Sequence, residues 1–321
     1  MITAYRAENG RLVRIEGADL AGAVWIDMES PLAEEERAVE AALKINIPTH
    51  EDMQEIEHSS RLYQEGAAHF LTAQIVATRS EKLTEIGPVT FVLLPDCLVT
   101  VHYHHPGSLD FFAGWAGRHD MGGTSGLQTL LSLIDTVVDR LADILEAEAR
   151  KLDALSATIF EAHRPSGKTE KLAVVLQRIG RAEDLNSKTA ESLTTLQRLT
   201  AYQSLLVSGS KATKAADGVR MKTLMRDIQS LQETAQKQNQ KILFLLESTL
   251  GVINIRQSDI IKIFSVVAFV FLPPTLIASV YGMNFESMPE LKWPWGYPMA
   301  LGLMVASAVV PWLIFRWKKL L

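Results

Sequence analysis

Two stretches near the C-terminus differ from the rest of the chain. From Ile263 to Met283, and again from Tyr297 to Phe315, no charged residue occurs, over about 20 positions each, the length a helix needs to cross the hydrocarbon core. The pattern predicts two membrane-spanning helices. Lys262 and Arg256 precede the first run, and Arg316, Lys318 and Lys319 follow the second. Positive flanks stay on the cytoplasmic side, so both termini are expected inside an inner (plasma) membrane. Between the runs, Phe285 to Gly296 carries Glu286 and Glu290 against Lys292, and it holds Trp293 and Trp295, with Tyr297 just beyond, where amphipathic rings settle at an interface. This connector reads as a short, mildly acidic outer loop.

Upstream of Phe112, short β-like runs (Arg11 to Ile15, Ala23 to Ile26, Phe70 to Ala77, Val89 to Leu94, Leu98 to His102) mix with helical stretches, Pro31 to Ile45 and His50 to His58. That mixture predicts an α/β domain. Helix starts are marked by Ser30 before Pro31 and by Thr49 before His50, with Asp52 placed as a capping acid. Gly114 to Gly126 reads as a glycine-rich linker. Beyond it, Leu127, Leu130, Leu131, Ile134, Val137, Val138, Leu141, Ile144 and Leu145 recur at three- and four-residue intervals, the signature of a long amphipathic helix. Polar breaks at His163 to Lys168 and Val207 to Asp217 divide the remainder into three long helices. No stop signal separates Gly218 from the first apolar run, so the last helix is predicted to continue into the membrane. About 65 residues at 1.5 Å each make a rod of roughly 100 Å, which needs support from neighbouring helices or subunits.

The predicted organisation is a cytoplasmic α/β domain over 1–125 and a long-helix bundle and stalk over 126–260. A first transmembrane helix follows over 261–284, an outer loop over 285–296, a second transmembrane helix over 297–316 and a basic tail over 317–321.

Composition narrows the function. Of 321 residues, 47% are hydrophobic and 21% charged, which suits a sizeable water-soluble part with a smaller membrane part. A net charge of -5 and the absence of a basic groove with interleaved aromatics set nucleic acid aside. The N-terminus lacks the pattern of a secretory signal. The single cysteine, Cys97, lies in an apolar run and reads as a buried, unreactive thiol in a reducing compartment. No nucleophile elbow or phosphate-binding glycine loop occurs, so the chain is read as a non-enzyme.

On the first apolar run Ser265, Thr275 and Ser279 fall within an arc of roughly 80° at 100° per residue. Ala268 and Leu272 share the arc, and Ile261 and Ser258 extend it backwards. Hydroxyls in such a stripe either line a polar path or bond their own backbone and pack on another helix. Pro273 and Pro274 sit mid-run, where lost backbone bonds favour a kink.

The run ends in Tyr281-Gly282-Met283-Asn284, followed by Phe285 and Met288-Pro289-Glu290-Leu291. With Ile260 to Ser265, Phe271 to Thr275 and Gly296-Tyr297-Pro298, it resembles the signature of the CorA family of magnesium channels. The stretch Pro48 to Tyr63 is similar to that family's cytoplasmic domain. The resemblance implies a funnel-shaped homopentamer conducting Mg²⁺, with Co²⁺ and Ni²⁺ as further ions, through the bilayer. It implies an asparagine ring from Asn284 at the outer mouth, with Gly282 permitting a tight turn and Met283 packing behind. Leu272 and the group Ile261, Phe264 and Ser265 match its constriction positions. Glu51 and Asp52 fit its regulatory cation site, with a partner acid near Thr223 or at Asp227, so intracellular Mg²⁺ is expected to close the channel. No organic cofactor is implied.

Mg²⁺ releases water reluctantly, so a neutral oxygen such as that of Asn284 suits a hydrated ion, and Glu286 and Glu290 add an attracting field. Two other readings stand beside this one. His102, His104 and His105 form a cluster, which with a third ligand would point to the zinc-transporting relatives. The helical hairpin would alternatively tether a coiled-coil scaffold.

Overall fold

The computed structural model describes residues 1–15, 20–55, 57, 61–80, 83–120, 125–161, 172–209, 215–283, 288–289 and 293–318. It divides into two compact units, Met1–Leu246 and Glu247–Leu321.

The first unit is built on a seven-stranded sheet of β1 (Ile2–Glu8), β2 (Arg11–Arg14), β3 (Trp25–Glu29), β4 (Leu62–Glu65), β5 (Ala68–Ser80), β6 (Leu83–Leu93) and β7 (Leu98–His102). The order is β2-β1-β3-β7-β6-β5-β4. Every neighbouring pair is antiparallel except β3 with β7. Both faces are covered, which explains the nearly continuous apolar composition of the central strands. On one face Leu71, Ala73 and Ile75 of β5 and Val89, Phe91 and Leu93 of β6 join a core that includes Leu130, Ile134 and Leu196. The intervening Phe70 and Val92 join the opposite core with Ile26, Val39, Met53 and Val101. Trp25 anchors the first face, stacked on Tyr5 at 4.7 Å and edge-on to Phe112 at 5.1 Å. Burying such a ring contributes about 1.5–3 kcal/mol.

Among the described residues the helices are, in chain order, α1 (Ala33–Leu43), α2 (His50–Gln54), α3 (Gly107–Ala116), α4 (Gly126–Glu161), α5 (Leu172–Gly209), α6 (Ala215–Tyr281) and α7 (Gly296–Trp317). Helix α1 begins later than the sequence signal at Ser30. That residue adopts a left-handed φ of 42° and donates its N–H to the His102 carbonyl, while Glu35 Oε2 accepts the Leu32 N–H at 2.9 Å. Thr49 and Asp52 cap α2 as expected: Thr49 Oγ1 accepts the Asp52 N–H at 3.2 Å and Asp52 Oδ2 accepts the Thr49 N–H at 2.9 Å. The helix ends at Gln54, capped by Glu55, and His58 lies outside the described residues.

The expected linker over Gly114 to Gly126 is helical at its start, because α3 runs to Ala116, with Phe112 and Ala116 fully buried. Gly126 has a packing reason. A Cβ there would lie 2.5 Å from the Leu94 carbonyl oxygen and 2.6 Å from that of Cys97. The polar break His163 to Lys168 lies outside the described residues.

Polar bonds tie the long helices together within the first unit. Thr195 of α5 accepts the Gln74 N–H of β5 at 3.0 Å, and Arg220 of α6 donates to Ser132 and Asp135 of α4, both at 3.0 Å. Asn186 of α5 donates to the Ala235 carbonyl, and Gln238 donates to that of Leu145. Helix α6 comprises 67 residues with Pro273 and Pro274 inside it.

Candidate ion pathway

In the second unit α6 and α7 are long and apolar enough to cross a membrane. Their side chains are largely uncovered: Phe264, Phe271 and Leu272 are 71%, 65% and 68% exposed. Exposed apolar surface of that extent needs a non-aqueous surrounding or other chains. Phe269 of α6 meets Phe315 of α7 edge to face, with ring centroids 5.8 Å apart. The guanidinium of Arg316 lies over the Trp312 ring.

The part of α6 covered by the rest of the chain lies on one side. Val266 is buried, and Val270, Pro273, Pro274, Ile277 and Tyr281 are half-buried. Ser258, Ile261, Phe264, Ser265, Ala268, Leu272, Thr275 and Ser279 are all exposed. At about 100° per residue these two sets have centres roughly 170° apart around the helix. The stripe thus lies opposite the covered side, within a wider uncovered surface that also holds Val267, Phe269, Phe271 and Leu276. Leu250, 47% exposed, falls in the same arc. Sequence reading passed over it because it precedes the uncharged run, although its helical phase was available.

Two stripe hydroxyls are tied back to their own helix: Ser265 Oγ donates to the Ile261 carbonyl at 2.8 Å and Thr275 Oγ1 to that of Phe271 at 2.7 Å. With the hydroxyl proton used this way, only oxygen lone pairs remain to face outward.

Gly282 follows the helix, its N–H donating to the Ala278 carbonyl at 2.9 Å. Its φ is not in the left-handed region. What the position excludes is volume, since a Cβ would lie 3.0 Å from the Ala278 oxygen. Met283 is 45% exposed. Asn284, Glu286 and Glu290 lie outside the described residues.

The cytoplasmic acids are separately placed. Glu51 and Asp52 are exposed in the first turn of α2. The Asp52 carboxyl is held below its ordinary range by hydrogen bonds from the Thr49 side chain and backbone. Asp227 is exposed on α6 and adds its negative field to Asp135 and Asp143 around Asp139, whose carboxyl is raised first by burial and then by these charges. Among the described residues, no group of three or more His, Cys, Asp or Glu is arranged to hold a metal.

The histidine cluster divides among different partners. His102 ends β7, buried, with Nε2 3.2 Å from Asp27 Oδ1 and Nδ1 2.6 Å from the His104 carbonyl. His104 lies beyond the strand, so the two do not share a strand face. Its Nε2 is 2.9 Å from the Ile75 carbonyl. His105 bridges Glu29 at 2.9 Å and Asp110 at 2.8 Å. His102 and His105 therefore serve strand-end and helix-start contacts, and His104 reaches a carbonyl within β5. Cys97 is buried, and burial pushes its thiol up to about 12.

An α/β N-terminal part and two C-terminal apolar helices, the first of them the apolar end of the 67-residue α6, define a membrane-spanning protein. The chain belongs to the family described as CorA-like Mg²⁺ transporter proteins, whose model matches residues 21–319. It is 33% identical to the magnesium transport protein CorA of Escherichia coli strain K12 and 31% identical to that of Mannheimia succiniciproducens, in each case over 99% of both chains. Its fold is similar to the complete structure of the CorA magnesium transporter from Methanocaldococcus jannaschii, with a TM-score of 0.76 at 18% identity, covering 98% of this chain and 97% of that one. The chain is a membrane protein with two C-terminal transmembrane helices, and a transporter rather than an enzyme.

Proposed function

We propose that the chain assembles as a homopentamer in the inner membrane, termini on the cytoplasmic side, and conducts Mg²⁺ inward, with Co²⁺ and Ni²⁺ as further ions. The observation that carries this reading is the position of the stripe. Ser258, Ile261, Ser265, Ala268, Leu272, Thr275 and Ser279 face away from the covered side of α6, the side on which copies around an axis would enclose a path.

A hydrated Mg²⁺ presents water hydrogens outward and keeps its octahedral shell. Acceptors therefore suit it better than donors. Ser265 and Thr275, with their protons tied to backbone carbonyls, offer acceptors to passing water, and Asn284 supplies an amide oxygen at the outer end. The absence of acids from the uncharged run Ile263 to Met283 keeps the ion from being gripped. Leu272, Ile261 and Phe264, with Leu250 further in, supply apolar rings that close by dewetting. Glu286 and Glu290 of the outer loop concentrate cations by their field. Inward flow is driven by the membrane potential, which gives a divalent ion about 4.6 kcal/mol per 100 mV.

Intracellular Mg²⁺ closes the channel by bridging copies through Glu51, Asp52 and Asp227. Asp52 already serves the Thr49 cap, so Glu51 supplies the freer carboxylate, and the remaining ligands come from a neighbouring copy.

The test is Mg²⁺ uptake into proteoliposomes by Asn284→Ala. Loss of at least about tenfold in rate, with unchanged assembly and unfolding temperature, supports the reading. Unchanged uptake contradicts it, and a scaffold role would then account for the apolar hairpin.

A further inference from the structure

We propose that a hollow of about 310 Å³ between α5 and α6 holds a divalent cation, Mg²⁺, with its water shell intact, as a site inside one chain that clasps the two helices together. Its lining includes Glu183, Asn186, Ser187 and Thr194 of α5 and Gln232 and Ala235 of α6. Residues three, four or seven apart along a helix share one face, so each helix turns one polar face to the hollow.

Asn186 is the informative residue. It is 4% exposed, its amide nitrogen donates to the Ala235 carbonyl at 3.1 Å, and its Oδ1 has no hydrogen-bond partner. A buried acceptor without a partner is costly, and folded proteins as a rule supply one. A carbonyl meets only a donor, so the nitrogen must face Ala235 and the oxygen is the end left for the hollow. Neighbouring groups are committed in the same sense. Thr194 Oγ1 donates to the Ala190 carbonyl at 2.8 Å, and Gln232 Nε2 donates to Gln197 Oε1 at 3.1 Å. Both side chains keep oxygen lone pairs for a ligand. Glu183 is exposed, and among the described residues it is the only charged one in the lining. Neutral acceptors around one carboxylate call for a ligand that is positive and donates hydrogen bonds.

Size and chemistry select a hydrated metal ion. Six waters at about 30 Å³ each occupy about 180 Å³, so the hollow admits an ion with its first shell and is far too large for a bare one. Mg²⁺ releases water reluctantly and is commonly held through one or two carboxylates with several waters retained. Contacts made through water need no cluster of three acids. An organic ammonium ion is recognised by aromatic faces, and no aromatic residue lines this hollow. The site lies within the unit Met1–Leu246 and is complete in one chain, whereas the site proposed at Glu51, Asp52 and Asp227 needs a neighbouring copy.

The test is amide hydrogen exchange of the full chain in detergent, followed over residues 183–194 and 232–239. Mg²⁺ is added in one series and hexaamminecobalt(III) in another, since its ammines donate hydrogen bonds as bound waters do but are not displaced. The proposal expects either ion at millimolar concentration to slow exchange in both segments by at least about threefold, saturably, and to do so equally in Glu51→Gln. Asn186→Leu removes the waiting oxygen and abolishes the response. Ser187→Lys tethers an ammonium at the hollow, so it slows exchange without added ion and removes the response to Mg²⁺, which keeps the test open should Asn186→Leu fold poorly. Unchanged exchange with both ions overturns the proposal, as does a response that disappears in Glu51→Gln or survives in Ser187→Lys. A response to Mg²⁺ that hexaamminecobalt(III) fails to reproduce overturns the hydrated form of the ion.

Discussion

Phe269 of α6 and Phe315 of α7 meet edge to face, their ring planes at 62°. This contact pairs the two apolar helices four residues before the proline pair Pro273-Pro274, and it leaves Leu272 68% exposed on another side of α6. One helix therefore has two distinct apolar faces. One includes the buried Val266, and the other is left uncovered by this chain.

In the proposed ion path Leu272, 68% exposed, is a barrier to water rather than a packing residue within the chain. Leu272→Asn places an amide in the proposed apolar ring and removes the cost of wetting it. Mg²⁺ uptake into proteoliposomes is expected to rise several-fold at high internal Mg²⁺, with the unfolding temperature unchanged. A variant that lowers the unfolding temperature without altering uptake assigns Leu272 to packing instead.

Gly126 tests the junction between sheet and helix bundle. Because the added Cβ of Gly126→Ala meets two backbone oxygens, relief requires α4 to shift against the β6–β7 turn. The expected cost is about 1–3 kcal/mol, read as a lower midpoint in denaturant melts. Gly22→Ala meets no neighbour within 4 Å but has φ +75°, and it separates backbone strain from crowding.

Histidine charge gives the N-terminal unit a pH dependence of known sign. Burial opposes the charged form of His102, but its hydrogen bond and ion pair with Asp27 prevail, so its pKa lies above 6.5. His105 is raised by its bond to Glu29 and by Asp110. Groups raised on folding stabilise fully below their unfolded pKa, and that contribution fades as pH rises through the folded value. The unfolding temperature is expected to fall from about pH 6.5 upward, and Asp27→Asn should flatten the His102 part. A profile that rises over this interval contradicts the assignment.

Asp52 acts in the opposite sense. Its carboxyl is lowered by Thr49, so its contribution is present above the unfolded pKa and lost as pH falls through the folded one. Thr49→Ala is expected to cost about 0.5–2 kcal/mol of helix stability, and to reduce the acid sensitivity of amide exchange over His50–Gln54.

What was legible in the sequence follows physical lines. The uncharged runs and the α4 periodicity are properties of single segments, and each corresponds to a helix. Strands β1 and β4 carried too little signal, because Arg6 and Glu8, or Gln64 and Glu65, interrupt the apolar alternation near the sheet's edges. The parallel pairing of Trp25–Glu29 with Leu98–His102 joins segments some 70 residues apart, which no local pattern encodes. For the ion path, helical phase placed Ser265, Leu272 and Ser279 together. Only the burial of Val266 and the half-burial of Ile277 identified that face as the uncovered one. The partners of His102, His104 and His105 likewise required the fold, since Asp27, Ile75 and Asp110 come from other elements.

The central claim, that the Ser265-to-Ser279 face borders water while the opposite face does not, is open to direct chemical test. Cys97 is the only native thiol and is buried, so Cys97→Ala supplies a silent background. Single cysteines at Ser265, Leu272 and Ser279, and at Val270 and Ile277, are then exposed to a charged, membrane-impermeant thiol reagent in proteoliposomes during Mg²⁺ uptake. The account predicts rapid modification and block of uptake at 265, 272 and 279, with slow or silent reaction at 270 and 277. Fast reaction at 270 and 277 with protection at 265, 272 and 279 would contradict it.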